Sequence, residues 1–269
     1  MGARILNYLP TLPNLSRRLG SRAEKDFIEL GFPALGITLW DDNFQGDLFK
    51  GGAAPGVYQS TASGTGAATV ALVAGVVNGV ALLDPGTDNA GRSDLSLGLH
   101  YQGQLNAVCW VKATLPDAIT AAKFELGFTD VISGTDAGAV NSKGNSTWTA
   151  TDAVVLCFDT SDDTNVTLMG VANGTTATAI DLNFTLAADT YYWFGVALQI
   201  EDKTTDTIRA KGIILNTDAK KIAETGWMAA AVSPTVNLTP WAFVQNRSAA
   251  QRRMRIDRLV SYQRSTTGS

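Results

Sequence analysis

From residue 37 to residue 264 the chain is a series of short apolar or alternating runs, each closed by turn residues, with no stretch that reads as a crossover helix. The runs begin with GITLW (36–40), ATVALVA (68–74), VVNGVALL (76–83), LSLGLHY (95–101) and LNAVCWVKA (105–113). They continue through AKFELGFTDV (122–131), AVVLCFD (153–159), NVTLMGVA (165–172) and TAIDLNFTL (178–186), then TYYWFGVALQI (190–200), DTIRAKGIIL (206–215) and WAFVQNR (241–247). Between them stand DPGTDNAG, SGTDAGAVNSKGN, TSDDTN and ANGTT, where Gly, Asn and Asp supply the backbone freedom and local hydrogen bonds of turns. Parallel strands need long crossovers, so a parallel α/β sheet is excluded. The pattern predicts an all-β, antiparallel jelly-roll sandwich over residues 37–269, and a single sandwich of this size is ordinary. Glu is scarce, five against twenty Asp, which agrees with strands and turns rather than helices.

Residues 1–36 differ. MGARILNYLPTLPNLSRRLG holds two prolines and no sustained period, and reads as an extended arm. SRAEKDFIELGFP then predicts one short helix over 22–30. Ser21 and Glu24 form a capping box, Gly31 suits the left-handed stop, and Pro33 forbids continuation. So short a helix needs a partner to pack on. Phe27, Ile28 and Leu30 offer its apolar side, with Arg17, Arg18 and Arg22 beside it.

The last run, RRMRIDRLVSYQR (252–264), carries five arginines in a chain of net charge −4. Met254, Ile256, Val260 and Tyr262 recur with the period of two that a half-buried strand requires. Arg258 interrupts that face and marks a bulge or a strand end. Arg253, Arg255 and Asp257 would point the other way, toward solvent or a partner. Charge is uneven along the chain: residues 1–25 sum to +4, residues 245–269 to +5, and the middle to −13. That asymmetry suits docking or subunit contacts as well as simple solvation.

Taken in order, LWDDNF, GVVNGVALL, LNAVCWVKA, FELGFTDV, AVVLCFD, YYWFGVALQI, IRAKGIIL and MRIDRLVSYQ resemble the concanavalin A-like (laminin-G-like) jelly rolls. More narrowly they resemble the version found in structural proteins of tailed bacteriophages. The resemblance spans residues 37–264 and implies a virion protein of the capsid exterior, assembled in the host cytoplasm, that decorates or cements the shell. It implies the major capsid protein as partner and a homotrimer as the assembled state. Its partner-binding residues would be Arg17, Arg18, Arg22, Phe27, Ile28 and Leu30 of the arm, with Arg253 and Arg255 of the last strand. The alternative is a tail-associated adhesin or fibre component binding host glycans through aromatics such as Trp148, Trp227 or Trp241.

Signatures of chemistry are sparse. His100 is the single histidine, so a multi-histidine zinc site is excluded, and it stands in strand text with no nucleophile elbow. Sandwich glycosidases need paired carboxylates on one strand; here Glu125 stands alone, with Asp130 beyond a turn. WDDNFQGD (40–47), DPGTDNAGRSD (84–94) and DTSDDTN (159–165) offer oxygen ligands of the kind calcium takes, in text that equally suits turns. No phosphate-binding glycine loop or C-x-x-C pair occurs. These observations predict no enzyme, no cofactor and no metal. The acidic body disfavours nucleic acid as a partner. No membrane segment is expected, because AATVALVAGVVNGVALL (67–83) is too short to span and holds turn residues. Cys109 and Cys157 lie in apolar runs and read as two buried thiols, with a cross-strand disulfide as the alternative.

Overall fold

The computed structural model describes residues 37–44, 58–66, 68–73, 75–76, 79–131, 138–202 and 206–264. The arm and the helix expected at 22–30 lie outside the described residues. Within them the strands form two large sheets, and every ladder is antiparallel. The nine-stranded sheet runs β16 (Lys221–Glu224), β15 (Thr207–Leu215), β14 (Tyr192–Asp202), β6 (Val108–Thr114), β19 (Met254–Arg264), β4 (Ala81–Asp84), β3 (Thr69–Leu72). β1 (Ile37–Asp42) takes the other half of the β19 edge, and β17 (Met228–Val232) pairs with β15. The eight-stranded sheet runs β12 (Thr175–Thr176), β11 (Asn165–Ala172), β10 (Ala153–Asp159), β7 (Ala122–Thr129), β18 (Thr239–Asn246), β5 (Arg92–Ser96), β2 (Gln59–Ser63), with β13 (Ile180–Thr185) beside β11. A small hairpin, β8 (Val140–Ser142) and β9 (Thr147–Trp148), joins the ladder of neither. The antiparallel jelly-roll sandwich read from the sequence is the observed fold.

The core lies between the sheets and follows the period of two. On β15, Ile208, Ala210 and Ile214 turn inward and are buried, while Arg209, Lys211 and Ile213 alternate outward. Phe124 of β7 stacks on Phe158 of β10 at 5.4 Å between ring centroids and meets Phe194 of β14 edge-on at the same distance, bridging the two sheets. Leu83, Leu95, Leu126 and Leu156 complete the seam. Each such side chain contributes roughly 1.5–3 kcal/mol by leaving water.

Two sequence readings change in the structure and a third holds. The face of the last strand is not continuous, because β19 carries a β-bulge against β6 between Ile256 and Arg258. Met254 and Ile256 face the core before it; after it Leu259 and Ser261 do, and Val260 and Tyr262 move to the outer face. One extra residue reverses every later side chain. The run LSLGLHY is not a strand throughout: β5 ends at Ser96, Gly98 takes a positive φ of 98°, and His100 is exposed in the turn that follows. The run 67–83 resolves into β3 and β4, paired in register from Thr69↔Asp84 to Leu72↔Ala81. That is the two strands and a turn expected of it.

Candidate functional site

The outer face of the eight-stranded sheet is covered at its middle. At its centre β7 points Lys123 and Glu125 outward, yet both side chains are fully buried. The hairpin β8–β9 lies over them. Glu125 Oε2 accepts the Ala139 N–H at 2.7 Å and the Trp241 indole N–H at 3.1 Å. Its Oε1 accepts the Val140 N–H at 3.1 Å and stands 2.8 Å from Lys123 Nζ, which also donates to the Val140 carbonyl. Gly138 makes the approach possible: its φ is +91°, and a Cβ there would lie 2.5 Å from Glu125 Oε1. Val155, Cys157, Met169, Trp241 and Phe243 wall the pair in. Glu125 therefore clamps a hairpin, and no substrate oxygen reaches it. In the same cross-strand row, through Phe243, stands Asp94, which is also fully buried. Glycoside hydrolysis needs two carboxyl groups flanking an accessible bond, and these two do not supply them.

The aspartate-rich loops are occupied by their own turns. Asp42 accepts the Phe44 N–H at 2.7 Å and the Tyr58 hydroxyl at 2.8 Å, and burial, with Asp42 beside it, pushes that phenol up. Asp84 accepts the Gly86 N–H at 2.9 Å and the Gln251 amide at 2.8 Å. Asp88 receives both donors of Thr65, and Asp159 pairs with Arg247. Among the described residues no group of three or more His, Cys, Asp or Glu side chains is placed to hold a metal ion. Residues 45–47 of the first cluster lie outside the described residues.

Of the partner-binding residues read from the sequence, Arg17, Arg18, Arg22, Phe27, Ile28 and Leu30 fall outside the described residues. Arg253 is held inside the chain, its backbone N–H and its Nε both donating to Asp117 Oδ2 at 3.0 Å. Burial raises the Asp117 carboxyl, but the Arg253 contacts outweigh it and hold the group below its ordinary value. Arg255 stands on the outer face of the nine-stranded sheet, in register with Thr114, and makes no ion pair among the described residues. Among the aromatics considered for glycans, Trp241 is fully buried and Trp148 packs with the hairpin cluster. Trp227 is partly exposed, with the Arg209 guanidinium 4.4 Å and Lys211 Nζ 5.9 Å from its ring centroid.

A second apolar cluster went unseen in the sequence. On the outer face of the nine-stranded sheet, Val108 and Trp110 of β6, Trp193 and Ala197 of β14, Leu215 of β15 and Val260 of β19 pack together, with Leu39 and Tyr262 at the β1 edge. The Trp110 ring lies flat on Gly195, where a Cβ would come within 2.5 Å of it. The alternation of LNAVCWVKA told which residues are opposite Cys109, but not that both faces of β6 are buried.

No protein-family profile matches the chain, and no curated protein sequence does. Solved structures do. A protein of unknown function from Shewanella oneidensis MR-1 aligns at 12% identity over 93% of this chain and 96% of its own, with a TM-score of 0.59. The carbohydrate recognition domain of Emp47p aligns at 11% identity, over 87% and 99% respectively, with a TM-score of 0.52. Peanut lectin, solved with a nine-residue peptide, aligns at 12% identity over 84% and 97%, with a TM-score of 0.53. At these identities the likeness defines the fold: a concanavalin A-like jelly roll.

Proposed function

We propose that this chain is a non-enzymatic structural protein of a tailed-phage virion that decorates the capsid exterior. In this reading it assembles in the host cytoplasm as a homotrimer and binds the major capsid protein through residues 1–36 and contacts of the sandwich. The observation that supports a non-catalytic role best is the covered outer face of the eight-stranded sheet, where the hairpin seals Glu125 and Lys123 from solvent. The virion assignment is supported by the sequence resemblance of residues 37–264. Mass spectrometry of purified virions, with immunogold labelling, tests it. Copies numbering in the hundreds on the head support the reading; absence from the head, or a tail location, overturns it. Charge reversal at Arg17, Arg18 and Arg22 should weaken binding to purified shells chiefly at low salt, since exposed charge contacts are screened.

Glycan binding is the second reading, favoured by the likeness to a carbohydrate recognition domain and a lectin and by the partly exposed Trp227 beside Arg209. A glycan array with the intact protein and Trp227→Ala decides it. Selective binding lost in the variant supports it, and an empty array removes it.

A further inference from the structure

Trp227 immediately precedes β17 and lies over Arg209 and Lys211, two outward residues of β15. Its chain neighbours leave it room. A Cβ at Gly226 would meet nothing within 4 Å, and Ala229 and Ala230 are exposed. The Arg209 guanidinium stands 4.4 Å from the ring centroid, and Nη2 donates at 3.0 Å to Gln199, its cross-strand neighbour on β14. Nη1 is 4.0 Å from Glu201 Oε1, beyond hydrogen-bond reach. Arg247, Arg253 and Arg258 are each closed by two N–H donations to one aspartate. Arg209 has no such closure, and its side chain is 29% exposed. Beside it Glu224 answers both Lys211 at 3.1 Å and Lys221 at 2.7 Å. Three cations thus meet two acids, Glu201 and Glu224, which leaves one positive charge on the surface of a chain whose net charge is −4.

We propose that this surface binds an acidic saccharide, with a pyranose ring against the Trp227 indole and the sugar's carboxylate on Arg209 Nη1. The inference rests on the glycan reading and adds the charge of the ligand and the residue that selects it. The C–H face of a sugar ring is apolar and suits an aromatic platform with a few placed polar groups around it. Sugar hydroxyls both donate and accept, so they need partners of both kinds. Gln199, Glu201 and Glu224 supply acceptors among the cations. An acidic peptide offers no such hydroxyl array and would be opposed by the two glutamates. A neutral sugar would leave the guanidinium edge unused, whereas a carboxylate takes it up in a charge-assisted hydrogen bond. The three closed arginines make that same contact within the chain.

The test is calorimetric titration of the full chain with a glucuronate-terminated oligosaccharide and with the same oligosaccharide ending in glucose. At low salt the acid should bind about tenfold more tightly, equivalent to about 1.4 kcal/mol, and the advantage should shrink as salt rises. Arg209→Gln should bring the acid down to the affinity of the neutral sugar and leave the neutral sugar unchanged. Trp227→Ala should abolish binding of both. Equal affinity for the two sugars at low salt, or selectivity that survives Arg209→Gln, overturns the inference and leaves the glycan reading standing. Binding of neither sugar also overturns it, and the glycan reading falls with it only if the array is empty as well. Should a variant fail to fold, the unmodified protein decides by nuclear magnetic resonance. Overhauser contacts from the sugar ring protons to the Trp227 indole support the site, and contacts confined to other residues refute it.

Discussion

Glu125→Gln keeps the shape of the clamp under the hairpin and removes its charge. The carboxylate satisfies four donors, two on each oxygen: Ala139 and Trp241 N–H on one, Val140 N–H and Lys123 Nζ on the other. A glutamine must turn its NH2 toward one of these pairs, so either orientation sets donor against donor and leaves two buried donors unanswered. Each costs about 1–3 kcal/mol. Lys123, fully buried, also loses its counter-charge, and breaking one side of a buried pair costs about 3–5 kcal/mol. The two routes describe the same loss, so about 3–5 kcal/mol is the expectation, against a total of about 5–15 for a domain. At roughly 2–4 °C per kcal/mol, Tm should fall by about 6–20 °C. Urea unfolding of Glu125→Gln, Lys123→Met and the double variant supplies the assay. The double variant should lose less than the sum of the singles by about 1–3 kcal/mol, because the second substitution removes the charge the first one stranded. Glu125→Gln within about 0.5 kcal/mol of the parent, or strict additivity, would refute the clamp.

Two further outcomes follow from buried and paired groups. Burial pushes both thiols well above the ordinary cysteine range, and Cys109 faces the core while Cys157 faces the hairpin cluster on the other sheet, so the native protein should resist thiol reagents and stay unlinked under mild oxidant. Both cysteines should react on unfolding; one fast-reacting native thiol would contradict this. Asp117, Asp163 and Glu224 are held below their ordinary values by Arg253, Lys143 and the Lys221–Lys211 pair, against the opposing effect of burial. Their folded values lie below the unfolded ones, so this stability is present above about pH 4 and is lost as pH falls through the folded values. All three side chains are partly exposed, so each contributes less than about 1 kcal/mol, and thermal melts of Arg253→Met should show a shallower acid-side decline than the parent.

The class of fold was legible because strand period and turn chemistry agree over most of the chain. The inward residues of β7 and β15 could be read by alternation alone, whereas β10 is apolar at six successive positions and its faces could not. Where reading stopped, long-range contact had taken over. Lys123 and Glu125 alternate with Phe124 as solvent-facing residues do, and only the hairpin folded back from β8 makes them interior. The bulge in β19 was signalled by Arg258 interrupting the apolar face, but which residues changed sides depends on pairing with β6, 145 positions away at Lys112 and Asp257. The short strands β2, β8, β9, β12, β16 and β17 lack apolar alternation and owe their state to their neighbours. His100 sat in apolar text, yet Gly98 turns the backbone before it.

The uneven charge along the chain takes on a different meaning once strands are paired. Of the six arginines after residue 244, three meet acids from the middle of the chain or the β1 edge: Arg247 with Asp159, Arg253 with Asp117, Arg258 with Asp41. Lys112 answers Asp257 in return. Because β19 is an interior strand of its sheet, between β6 on one side and β4 and β1 on the other, its basic residues lie beside the acidic body. Half of the carboxy-terminal arginines are therefore neutralised within one molecule. Reversing Arg253 would break its own fold's contact with Asp117 before it informed on any partner. Among the described residues Arg255 makes no ion pair and stands on the outer face in register with Thr114, so its substitution disturbs the sandwich less than that of Arg253 or Arg258 and reports more directly on a partner.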